Sequence, residues 1–307
     1  MLSDIYSRQN DPAYYEDVSQ TQIGTTAAGA PIFDFVAGSE NYMLTNANTY
    51  GDGLAVSLIA KQRYDWGLDW SLGYAYTDQT DVSPMTSSVA SSNFNNLALS
   101  SLVDPRAATS NYVSPHRFTA RISYAREFIP GHETRITAFM FSKEGQPQSH
   151  VMSSSDLEGD QRYGRHLLYV PSPNGDDNVV IQPGFDTAGW NTFLKTNGYE
   201  QYAGGFVPRN ARHTRWSNRM DLRIDQELPL FFGTQARAYL KIYNVLNMLN
   251  DSWGRQYDSY FYSQAVVTSS VDGDGRYVFE NFRNRGLTDL RENASLYEIR
   301  LGVQFEF

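Results

Sequence analysis

The chain has no cysteine among its 307 residues, which excludes disulfides, thiolate metal sites and cysteine nucleophiles. A chain this long buries a large core without such staples. Long apolar runs are missing too. The longest candidates, such as GLAVSLIA from Gly53 to Ala60, reach about half of the roughly 18 residues that a spanning helix needs. A mean hydropathy of −0.49 therefore rules out a helical membrane protein but not a strand-crossing one, whose spans are half polar. The first residues, MLSDIYSRQND, carry neither the basic nor the apolar region of a secretory leader, so Met1 reads as a truncation point or an internal start. Charge is sparse at 19% and acidic in balance, with a net −9. That balance, with no basic patch visible, argues against nucleic acid as a partner.

Aromatic residues and alternation are abundant. Tyrosine (21) outnumbers phenylalanine (17) and aromatics make up 14% of residues, the balance of a sheet with membrane-interface girdles. A Tyr-rich soluble β-sandwich would share much of it. The segment YEIRLGVQFEF places Tyr297, Ile299, Leu301, Val303, Phe305 and Phe307 on one face, with Glu298, Arg300, Gly302, Gln304 and Glu306 on the other. In a soluble sheet such a strand at a chain end is an aggregation hazard. In a transmembrane β-barrel one side meets lipid, the next meets the lumen, and closure removes the edge. The terminal Phe307 closing this strand resembles the C-terminal insertion signal of bacterial outer-membrane proteins.

The same period recurs upstream. Leu54, Val56, Leu58 and Ala60 share a face, as do Leu68, Trp70, Leu72, Tyr74 and Tyr76. So do Phe118, Ala120, Ile122 and Tyr124, then Met220, Leu222, Ile224 and Leu228, then Ala236, Ala238, Leu240 and Ile242. Each segment is close to the roughly 9–11 residues that cross a bilayer when tilted. Strands near 54–62 and 67–78 are joined around Tyr64-Asp65-Trp66. Those near 117–127 and 134–143 are joined by Ile129-Pro130-Gly131-His132, and those near 218–228 and 235–244 by Pro229 to Thr234 with Gly233 as turn residue. Between the hairpins lie long polar stretches, 79–116 and 144–217. Short periplasmic turns alternating with longer extracellular loops are the barrel asymmetry, and a compact soluble domain rarely tolerates two such connections. Parity leaves Phe307 at the periplasmic end. Residues 257–267 and 276–282 form either one more wall hairpin or a fold-back of a surface loop, and 31–44 read as the remnant of another strand, giving eight to ten strands. Thr187 to Thr196 is expected to be a short helix ornamenting a loop.

Several phrases occur in a telling order: SPHRFTARISYARE (Ser114 to Glu127), GQPQSHV (Gly145 to Val151), LLYVPSPNGDD (Leu167 to Asp177), PRNARHTRW (Pro208 to Trp216), DLRIDQELP (Asp221 to Pro229) and YNVLNMLND (Tyr243 to Asp251). With the final QFEF, the series resembles the C-terminal barrel half of a TonB-dependent receptor of the Oar-like group, over residues 40–307. The resemblance implies an all-β fold: an antiparallel up-and-down transmembrane β-barrel segment, one part of a barrel of roughly 22 strands. Residues 1–45 would be a loop and strand remnant and 46–307 the barrel strands and loops, with the plug domain absent. It also implies outer-membrane lipid, the barrel assembly machinery, and, in the parent protein, a plug domain and the TonB system as partners. Capture of an unknown extracellular ligand and its energised uptake would be the function.

Candidate sites are weighed against plainer roles. Arg121, Asp221, Arg223, Asp225, Glu227, Arg237 and Lys241 are expected to face the lumen, where mutual pairing is the simpler role. Trp190, Tyr199, Tyr202 and Phe206, expected as exposed loop aromatics, are ligand candidates, with loop packing the alternative. His116, His132, His150, His166 and His213 have no metal-ligand spacing, and no metal site or other cofactor is expected. Asp272-Gly273-Asp274-Gly275 and Asn174-Gly175-Asp176-Asp177 read as tight turns rather than calcium loops. No catalytic order of residues is found, and no enzyme is expected. Two other readings stay open: a complete small outer-membrane barrel serving as adhesin or anchor, in which the first strand pairs with the last, and a secreted carbohydrate-binding β-protein, in which the Leu54, Leu68, Phe118, Met220 and Tyr297 faces are buried against protein.

Overall fold

Alternation at period two builds one meander of long antiparallel strands in chain order: β1 (Leu2–Asn10), β2 (Tyr50–Arg63), β3 (Leu68–Asp81), β4 (His116–Ile129), β5 (His132–Lys143), β6 (Ser217–Leu228), β7 (Gln235–Tyr243) and β8 (Glu298–Glu306). A two-residue strand, Ala108–Thr109, adds to the end of β3. The computed structural model describes residues 1–34, 40–101, 103–153, 157–159, 164–229, 235–258, 263–283 and 289–306. Phe307 and residues 230–234, with the expected turn residue Gly233, lie outside the described residues. Strand accounts for 54% and helix for 11%, an all-β composition. No helix among the described residues is long and apolar enough to cross a membrane.

Register assigns each residue to a face, because residues directly opposite in an antiparallel pair point the same way. One row runs Trp70, Ile122, Ala138, Leu222, Ile242, Ile299 across β3 to β8, and the next runs Leu68, Tyr124, Ile136, Ile224, Leu240, Leu301. On the other face the matching row is Asp69, Ser123, Thr137, Arg223, Lys241, Arg300. The wall is therefore apolar on one side and charged on the other. The apolar side is uncovered: Leu58, Ile122 and Ile299 are each 51% exposed and Leu301 79%. On the polar side Tyr239 lies opposite Gly302, where an added Cβ would sit 2.5 Å from the Tyr239 ring. Only glycine admits that ring there.

The joints β2–β3 and β4–β5 are short and lie at one end. Gly67 closes the first at φ +100, with Ala125 N–H donating to the Gly67 carbonyl at 2.9 Å. Gly131 closes the second at φ +76. Glu306 pairs with Gln235, so β8 finishes at this same end, as parity requires. The connections β1–β2, β3–β4, β5–β6 and β7–β8 are long and lie at the opposite end. The path terminates in β1 and β8, which do not pair with each other among the described residues, so the sheet is open.

The long connections fold together into a crown above the wall, and its buried cluster is the main core of the molecule: Met152, Leu168, Tyr169, Trp190, Phe193, Tyr199, Val266, Val267, Tyr277 and Phe279. Its sheet runs His166–Leu167, Pro147–Ser153, Ser263–Val271, Tyr277–Phe282, Val179–Ile181. Two of these neighbours are parallel, Pro147–Ser153 with Ser263–Val271 and Val179–Ile181 with Tyr277–Phe282. Uniform antiparallel pairing thus stops at the wall, because strands from separate connections are free of hairpin geometry. Buried polar contacts bind the crown to the strand ends. Asn210, at φ +58, donates through its side-chain NH2 to the Thr109 carbonyl at 2.7 Å and to Asn111 Oδ1 at 2.6 Å. Asn244, at φ +54, donates to the carbonyls of Gly254 at 3.0 Å and Ser295 at 2.7 Å, while its backbone N–H donates to Asp221 at 2.9 Å.

Two expectations for the first 45 residues are corrected. Residues 1–45 contain a wall strand, β1, whose Leu2, Ile5 and Tyr6 break the alternation; as an edge strand it has less need of it. Residues 31–44 supply no wall strand: Pro31–Asp34 hairpins with Thr21–Thr25 and Tyr42–Asn46 with Ala13–Asp17, while 35–39 lie outside the described residues. Of the two placements left open for 257–267 and 276–282, the structure shows the fold-back: Ser263–Val271 and Tyr277–Phe282 form a hairpin in the crown and not in the wall, and 259–262 lie outside the described residues. Consecutive Val266 and Val267 are both fully buried, which a lipid-and-lumen strand would not allow. The helix Thr187–Asn197 forms at its expected place, with Asp186 accepting from Gly189 N–H at 2.9 Å and Gly198 ending it at φ +67. It is no ornament, since Trp190, Phe193 and Leu194 belong to the core.

Candidate functional site

Above the end of β5, Glu144 N–H donates to the His116 carbonyl at 2.9 Å and the chain turns up into Pro147–Ser153. The returning segment pairs Arg212 with Gln148 and His213 with Pro147 before running through Trp216 into β6. From the other side the last connection brings Arg255 and the pair Tyr257–Leu290. Between them opens a cleft of about 680 Å3 lined by Glu144, Ala211 to Trp216, Arg255, Tyr257 and Leu290. Among the described residues its lining holds three arginines and one carboxylate, in a chain whose net charge is −9.

Contacts inside the cleft leave donors spare. The Arg215 guanidinium lies 5.4 Å from the Tyr257 ring centre. Arg255 Nε donates to the Asp251 carbonyl at 3.0 Å. His213 Nδ1 stands 3.7 Å from Glu144. Three consecutive residues, Arg212, His213 and Thr214, each keep a buried polar atom without a hydrogen-bond partner: Nε, Nε2 and Oγ1. Burial pushes the His213 pKa down; Glu144 opposes that shift, and Arg212 and His116 add to it. The ring is accordingly neutral near pH 7.

Trp216 links this cleft to an aromatic cluster at the rim of the apolar face. Its ring centre lies 6.3 Å from that of His116 and 6.2 Å from that of Phe118, and Tyr74 O–H and His116 Nδ1 are 2.9 Å apart. A second cluster, Tyr64, Trp66 and Tyr124, marks the other end of the same face. From His116 to Tyr124 along β4 is roughly 27 Å at strand rise.

The ligand candidates of the third long connection are inside the crown. Trp190 is 3% and Tyr199 1% exposed, and Tyr202 and Phe206 pack against the same cluster. Loop packing is what the structure shows for all of them, because a crown this size needs aromatic volume to fill it. The charged set shares the polar face, as register requires, and its members have partners. Arg121 pairs with Asp69, Arg223 with Asp225 at 2.7 Å, Arg237 with Glu227 at 2.9 Å, and Asp221 with Arg219 at 2.8 Å. Lys241 Nζ lies 4.1 Å from the Tyr243 ring centre. Of the terminal set, Tyr297, Ile299, Leu301, Val303 and Phe305 are exposed. The Asp272 carboxylate is occupied by Arg276 and by the backbone N–H groups of Asp274 and Arg276. Asp176 likewise accepts from Ser172, Asn178 and Tyr169. Among the described residues no group of His, Asp and Glu is placed to hold a metal ion.

The cleft itself was not foreseen. Arg212 and Arg215 lie within the cation-dense PRNARHTRW, but Arg255 comes from a separate connection, and that density is the one local signal. No protein-family model, no curated protein and no solved structure matches this chain.

Proposed function

We propose that the chain forms the carboxyl-terminal wall and extracellular crown of an outer-membrane receptor barrel of the TonB-dependent, Oar-like type. The wall strands cross the lipid, the crown captures an extracellular ligand, and uptake is energised in the parent protein through its plug domain and the TonB system. The observation that carries the membrane part is the uncovered apolar face, continuous in register from β3 to β8. Soluble monomers rarely expose apolar patches beyond a few hundred Å2, whereas lipid is the natural cover for this one. Aromatic clusters at both of its ends support the reading. The receptor part rests on the ordered phrases and the terminal strand. Open edges at β1 and β8 favour a segment of a wider barrel over a small closed one, and the exposure of Phe118 and Tyr297 disfavours the secreted, protein-covered sheet.

Single-tryptophan variants of the chain in bilayers with brominated lipids test this placement. Trp70, one row inside the band, should be quenched by bromines deeper in the acyl chains than those that quench Trp66 and Trp216. Trp190, inside the crown, should be quenched by neither. An unquenched Trp70 would remove the membrane reading.

A further inference from the structure

We propose that the cleft between the third and fourth long connections is a binding site for a phosphoryl group. Three independent features converge on it. Arg212, Arg215 and Arg255 reach one cavity from two separate connections, against Glu144 as the one carboxylate among the described lining residues. Arg212 Nε and Thr214 Oγ1, on two of the lining residues, are buried without hydrogen-bond partners in the protein, so the lining carries donor capacity that the fold does not use. The charge is also local, since pairs such as Arg223 with Asp225 and Arg237 with Glu227 neutralise the cations of the wall.

The donor set favours phosphate over carboxylate. A phosphomonoester carries about −1.5 to −2 charge and three strong acceptor oxygens, which suits an excess of two positive charges. Guanidiniums arriving from opposite walls reach a tetrahedral oxyanion better than a planar carboxylate, and arginine forks match phosphate geometry. Tyr257 and Trp216 supply apolar and aromatic walls for whatever bears the phosphate. The cleft's chemistry does not depend on whether the wall carries a solute, so a failed lipid-quenching test would leave it standing.

Titration calorimetry on the full chain in maltoside micelles, with inorganic phosphate as probe, tests the assignment. Saturable binding is expected, weakened on the order of tenfold by R255Q or R215Q, as loss of one charge-assisted hydrogen bond implies. R223Q, on the distant polar face of the wall, should titrate like the parent chain. Near-UV circular dichroism shows whether each variant is folded; Arg255 is partly exposed and Arg215 exposed, so their loss spares the core. Adding short-chain phosphatidylglycerol separates the sources: competition marks a lipid headgroup, and its absence marks a soluble phosphate ester. Absence of saturable binding, equal binding of acetate, or R255Q and R215Q both behaving like the parent would overturn the proposal.

Discussion

The guanidinium of Arg209, a residue only 4% exposed, lies 2.7 Å from the carboxylate of Asp81 and bonds as well to the Asp81 carbonyl. The third long connection is thereby fixed to the end of β3. Burial pulls the Arg209 pKa down and Asp81 holds it up; the side chain stays charged.

Breaking that pair should loosen the crown without unzipping the wall. Arg209→Ala strands the Asp81 carboxylate, at a cost of about 3 kcal/mol by comparison with other buried pairs. Urea titration should show an early loss of near-UV dichroism, with far-UV strand signal persisting to the parent midpoint. A single unchanged transition would mean that the pair does not hold the crown.

His150 should make the crown sensitive to acid. Its Nδ1 lies 2.6 Å from the Tyr199 hydroxyl. Burial, aided by the charge of Arg212, lowers its pKa to about 3. A folded-state pKa below the unfolded one means that stability is fully present above about pH 6.5 and is lost as pH falls towards 3. The slope approaches about 1.4 kcal/mol per pH unit within that window. H150Q keeps an acceptor for Tyr199 but cannot titrate, so its urea midpoint should fall less steeply between pH 6 and 4. Some slope should remain, because the His213 pKa is lowered as well. Equal slopes in parent and variant would assign the acid response elsewhere.

Closure of the wall can be read with engineered thiols, since no native cysteine interferes. Ser3 and Ser57 are partners in β1 and β2, with hydroxyls 2.7 Å apart, so S3C with S57C should oxidise readily. Bridging needs Cα atoms within about 7 Å. S3C with R300C or with Q304C should therefore stay reduced in the monomer, as judged by mobility on a non-reducing gel. An intrachain bridge between β1 and β8 would establish the small closed barrel instead.

The wall was legible because its signal is local. Strands expected near 54–62, 67–78 and 117–127 occupy Tyr50–Arg63, Leu68–Asp81 and His116–Ile129, extended where side chains leave the apolar band. β1 escaped because its three large apolar residues do not share a face. The crown escaped because its strands are two to nine residues long and its order comes from distant pairs such as Ser149 with Ser263. The cleft inherits that difficulty: Arg212 and Arg255 meet only once two connections have packed. Aromatics in a polar connection looked like bait for a ligand, yet Trp190 and Tyr199 serve the core.

The parallel pairing of Pro147–Ser153 with Ser263–Val271 sets an order of events. Wall hairpins close over short joints and need no help from elsewhere in the chain, whereas that crown ladder cannot begin until β6 and β7 have been laid down between its two strands. Contacts so remote in sequence are slow to find each other. The crown should be the last part to mature, leaving an interval in which the wall is assembled and its upper end is still unsealed.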